Sequence, residues 1–211
     1  MEIIISNRNL SVLLLILASI GISFGGLIMR NIFFADAWQV TFFRALGFVF
    51  SISIILFYKY GTSVMVRVKK IGNAGFLGAM FLMIANLLFI LSFSKTSIAN
   101  TLFTLSSIPF ITAVLASIFL REKISLRTFI IMIFALIGIF IMIKEGLGNS
   151  GSFGNIMALF CAISFSCYII IVRKYKDIDM IPTSLISGII LAIVTFVVSK
   201  GNIFIPVEDF L

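Results

Sequence analysis

The sequence predicts an all-α fold: a polytopic transmembrane helix bundle, read as a five-helix repeat followed by the first two helices of an inverted second repeat. Three observations carry this. Of 211 residues 61% are hydrophobic and only 11% are charged, against about 25% charged in a soluble domain. The apolar residues fall into seven runs, each near the ~20 residues a helix needs to cross a bilayer. The net charge of +8 sits in the short links between those runs, which is the loop bias of a membrane protein and not a basic face for nucleic acid.

The expected spans are 10–29, 37–57, 74–94, 98–120, 126–143, 156–172 and 181–199. The first begins after Arg8, and Ala18-Ser19 looks like a cleavage region. The apolar run continues to Met29, however, too long for the core of a signal peptide. Within it Gly21-Ile22-Ser23-Phe24-Gly25 is a G-x-x-x-G that permits close helix approach; Ser23 either packs there or lines a substrate path.

The second span holds Arg44, the only charge lying away from the ends of any span. A guanidinium at a helix centre costs about 2.5–3.5 kcal/mol on insertion scales. Two readings stay open. Arg44 either snorkels to the surface beside Trp38 or faces a wet cavity as a fixed cation, suited to bidentate capture of a carboxylate or phosphate. The third span carries Gly75, Gly78, Ala79 and Ala85 as a small-residue packing stripe. Its Asn86 needs a partner, either another helix or a ligand.

The fourth span is the most polar. Its 23 uncharged residues, Ile98 to Leu120, include Asn100, Thr101, Thr104, Ser106, Ser107 and Thr112. Asn100, Thr104 and Ser107 share one helical face. Pro109 cannot donate to the carbonyl of Leu105, so the helix is expected to kink or open there. Freed carbonyls at that depth need protein cover or a wet cavity, which makes this face a candidate binding site; the alternative is that the hydroxyls satisfy their own helix. The fifth span is apolar with one glycine, Gly138. The stretch 146–155 reads as a flexible linker; it lacks the Lys-Ser/Thr of a phosphate loop. The sixth span carries Cys161 and Cys167, expected to be free thiols, and Ser166 and Tyr168, which could face the same cavity as the fourth span.

An offset of 143 lays spans one and two on six and seven without gaps: Ile20 on Ile163, Ser23 on Ser166, Ile28 on Ile171, Arg30 on Arg173 and Asp36 on Asp179. The offset contains an odd number of helices, so the second copy is inverted, as in many secondary transporters. Domains are expected at 1–145, with the linker 146–155 and a partial second repeat over 156–211. Lys and Arg in alternate links number 11 and 4, which predicts a cytoplasmic N-terminus.

Phe42-Phe43-Arg44-Ala45, the run Ser107-Ile108-Pro109-Phe110 to Phe119-Leu120-Arg121-Glu122-Lys123, and Ile133-Phe134-Ala135-Leu136-Ile137-Gly138 together resemble the drug/metabolite transporter superfamily, EamA type. The resemblance implies ten helices in two inverted halves and transport of small metabolites. Ile205 to Leu211 looks like the run-in to an eighth helix, so the chain is expected to be a truncated form. The expected function is secondary transport of a small organic metabolite by alternating access across a bacterial inner membrane. Arg44, Asn86, Asn100, Thr104, Ser107, Pro109, Ser23, Ser166 and Tyr168 form the substrate-binding set. No span carries Asp or Glu, which tilts the substrate from cationic drugs towards a carboxylate bearer such as an amino acid. The expected partners are the lipid bilayer and that metabolite, without nucleic acid, metal or cofactor; a homodimer stays open. An intramembrane enzyme would need a nucleophile with its base, a metal cluster or paired carboxylates, and the chain has no histidine. A seven-helix receptor would need the opposite orientation, and its retinal-binding form a lysine in the last span.

Overall fold

The computed structural model describes residues 12–13, 15–21, 24, 35–146 and 152–202. The chain divides into two compact units, Met1–Ala35 with Ile205–Leu211, and Asp36–Phe204. In the first, residues 15–21 are helical, and the Ser19 hydroxyl bonds the Leu15 carbonyl one turn back (2.8 Å). Ser23, Gly25 and Arg30 lie outside the described residues.

The second unit contains α1 (Ala37–Tyr60), α2 (Val64–Lys70), α3 (Gly72–Lys95), α4 (Ile98–Leu105), α5 (Ile108–Phe119), α6 (Leu126–Gly146), α7 (Ser152–Lys174) and α8 (Ile181–Val198). Among the described residues there is no strand. Among the described residues five stretches are long and apolar enough to cross a membrane: Ala37–Lys70, Gly72–Lys95, Ile98–Phe119, Ser152–Lys174 and Ile181–Val198. They match spans two, three, four, six and seven. The fifth is helical as α6, with a shorter apolar part, Leu126–Gly138.

One boundary needs correcting. Ser152 to Asn155, expected in a flexible linker, are the first turn of α7. Gly154 is there for proximity. A Cβ on it would stand 2.7 Å from the backbone of Lys95 and Thr96, so only glycine lets α7 touch the end of α3.

Packing follows the small residues. Helix α3 lies against both α7 and α8, α1 lies against α8, and α4 and α5 lie against α7. Gly75, Gly78, Ala79 and Ala85 are all buried on α3. At Gly78 a Cβ would meet Thr183 of α8 and Ile171 and Tyr168 of α7, at 3.4–3.6 Å, which marks a three-helix junction.

The α1/α8 pair has contacts that repeat at the offset of 143. Asp36 caps α1 by accepting from the Ala37 N–H (2.8 Å), and Asp179 accepts from the Ile181 N–H at the start of α8 (3.0 Å). Gly188 of α8 faces Phe48 and Val49 of α1. Ala45, its counterpart, shares one buried cluster with Leu191 and Ala192, the counterparts of Phe48 and Val49. At the ends, the Gln39 amide donates to the Asn202 carbonyl (3.2 Å), while Lys59, the counterpart of Asn202, donates to Asp179 (2.8 Å).

Candidate substrate-binding site

The site is built from the fourth span outward. The proline break is present: α4 ends at Leu105, α5 starts at Ile108, and Pro109 occupies its first turn. A proline there loses nothing, because first-turn N–H groups have no helical partner. Between the two helices the chain tightens. The Ser106 N–H reaches both Leu102 and Phe103 carbonyls at 3.1 Å, and the Ser107 N–H reaches the Thr104 carbonyl at 3.1 Å.

Thr104 and Ser107 are buried, and their hydroxyls are engaged within their own helix. Thr104 donates to the Asn100 carbonyl (2.8 Å) and Ser107 to the Thr104 carbonyl (2.6 Å). The alternative in which the hydroxyls serve their own backbone therefore describes both. Asn100 is half-buried, its amide 3.4 Å from the Thr96 hydroxyl. Pro109 is exposed. Ser166 of α7 is completely buried, and its hydroxyl donates across to the Ile108 carbonyl (3.3 Å). The sixth span thus meets the break itself, as a brace on α5. Tyr168 is half-buried, packed near Phe165 with ring centroids 6.0 Å apart.

Arg44 sits against a neighbouring helix. Its guanidinium lies over the ring of Phe89 on α3, 5.0 Å from the centroid. A cation over an aromatic face is worth about 0.5–2 kcal/mol depending on desolvation, which offsets part of its insertion cost. Arg44 remains exposed, and no carboxylate pairs with it among the described residues. Asn86, one turn before Phe89, donates to the Leu82 carbonyl of its own helix (2.9 Å). The Cys161 thiol donates to the Ala85 carbonyl of α3 (3.1 Å). Phe89, the neighbour of Arg44, and the bond from Cys161 to α3 are what sequence reasoning missed. In an apolar run, one aromatic or thiol looks like any other.

The structure thus forms two groupings: Arg44 with Phe89, beside Asn86 and Cys161 on α3 and α7, and Ser166 with the α4–α5 break. Both cysteines are free. Three buried polar atoms have no partner among the described residues: Thr112 Oγ1, Asn155 Nδ2 and Ser187 Oγ. Ser187 stands where the repeat alignment places the counterpart of Arg44. Among the described residues no three His, Cys, Asp or Glu side chains lie close enough to hold a metal ion.

A family model, the EamA-like transporter family, matches residues 9–144. No curated protein and no solved structure gives a significant match.

Proposed function

The chain belongs to the EamA-like transporter family, an integral membrane transporter of the drug/metabolite type, and from that premise we propose that it carries a small carboxylate-bearing metabolite, such as an amino acid, by alternating access. Arg44 is the residue on which the substrate class rests. It is a permanent cation in a helix interior, held by an aromatic ring and left without a carboxylate among the described residues. A cation kept there against its insertion cost has a use when an anion visits. Asn86 flanks it; Asn100, Thr104, Ser107 and Pro109 form and surround the α4–α5 break, with Ser166 bracing it and Tyr168 on the same helix as Ser166. Ser23 is included by its alignment with Ser166.

The contacts of α1 with α8 support an inverted repeat. Capping aspartates, the small residue at the crossing and its facing pair all recur at the offset of 143. In such transporters the two halves rock about a shared site near the midplane. The bias of Lys and Arg supports a cytoplasmic N-terminus in a bacterial inner membrane.

The test is exchange in proteoliposomes loaded with unlabelled amino acids and challenged with each in labelled form. Arg44→Ala should abolish exchange. Arg44→Lys should retain a small part of it, because an ammonium keeps the charge without the planar fork. Unchanged exchange in both variants removes Arg44 from the mechanism.

A further inference from the structure

The hydrogen bonds joining residues 1–145 to the helices that follow them differ in kind at the two ends of the bundle. At the end where α3 finishes and α7 begins, those among the described residues are neutral. Ser92 donates to the Gly154 carbonyl (2.9 Å), Thr96 to the Asn155 side chain (2.9 Å), and Gln39 to the Asn202 carbonyl (3.2 Å). At the opposite end they are ionic. Lys59, near the end of α1, pairs with Asp179 ahead of α8 (2.8 Å), and the Tyr60 hydroxyl also donates to that carboxylate. Arg173, at the end of α7, donates through one nitrogen to both oxygens of Glu122 (2.7 and 2.8 Å).

The charge census explains why these pairs matter. Links at this end carry ten cations: Lys59, Arg67, Lys69, Lys70, Arg121, Lys123, Arg127, Arg173, Lys174 and Lys176. They carry three carboxylates, Glu122, Asp177 and Asp179, and two of the three make the cross-ties. Without those two, the loops of this end repel one another. The turn that presents Glu122 is itself constrained. Arg121 takes a left-handed φ of 56°, and the Glu122 N–H returns to the Ala116 carbonyl (3.4 Å).

The geometry points to Asp179 and Glu122 as the gating residues of the basic end: two carboxylates whose ion pairs with Lys59 and Arg173 hold that end shut, and whose release lets it open. The gating role rests on the transporter reading. The latch is tested without substrate, so the two fail separately.

The experiment is amide hydrogen exchange of the full chain in nanodiscs, wild type against Asp179→Asn, Glu122→Gln and the double variant. Asparagine keeps the helix cap and removes only the charge. Each single variant should speed exchange at 120–126 and 175–182 by about threefold, the size of a surface ion pair, and the double by about tenfold. Exchange at 92–97 and 152–156 should not change. About 1 M salt, which shortens screening to roughly 3 Å, should reproduce the effect in the wild type. The exchanged pair Glu122→Arg with Arg173→Glu should restore slow exchange. Unchanged exchange at the basic end, equal acceleration at both ends, or no restoration by the exchanged pair each overturns the latch.

Discussion

Glycine 154 shows how a residue can be conspicuous and misread. In a run of Gly, Asn and Ser it looks like part of a flexible linker, yet it is helical and pressed against the backbone of Lys95 and Thr96. Composition reports permissiveness; it does not report what stands 2.7 Å away. Gly154→Ala should therefore lower the melting point of the detergent-solubilised protein, with a cost of about 1–3 kcal/mol from overpacking. Gly47→Ala, at a site with nothing within 4 Å of the new methyl, should leave it unchanged. Arg44 is the opposite case. Its peculiarity was legible because a charge inside an apolar run has few explanations. Its seat over Phe89 was not legible, because many phenylalanines of the chain could have supplied that ring.

At the scale of elements, the α4–α5 break was readable from Pro109 alone. The missing N–H and the clash with the preceding turn are local facts. The direction of the hydroxyls was not readable. A serine or threonine in a helix can bond its own carbonyl three or four residues back or reach a neighbour, and tertiary packing selects between them. Thr104 and Ser107 took the first option and Ser166 the second. Two outcomes follow. Pro109→Ala returns a donor to the Leu105 carbonyl and should join α4 to α5, slowing amide exchange over 106–110. Ser166→Ala removes one interhelical bond and should destabilise by about 0.6 kcal/mol, the average for such bonds in a membrane, as measured by unfolding in bicelles.

At the scale of the molecule, hydropathy was enough to place the helices because a bilayer accepts little else. Six of the seven expected spans stand among the described helices, the fifth with a shorter apolar part. The order in which they pack was hidden. No periodicity says that α8 lies against both α1 and α3, since lipid-facing and helix-facing apolar residues look alike. Asp36 and Asp179, matched at the offset of 143, each accept a backbone N–H at the start of a helix. At the offset of 143 Arg44 falls opposite Ser187, and the ionic Lys59–Asp179 tie falls opposite the neutral Gln39–Asn202 bond.

The carboxylate is the centre of this account, and comparing a substrate with and without it tests the account most directly. Exchange of a labelled amino acid in wild-type proteoliposomes should be competed by the free acid and not by its methyl ester. Equal competition by acid and ester in the wild type would contradict the role given to Arg44.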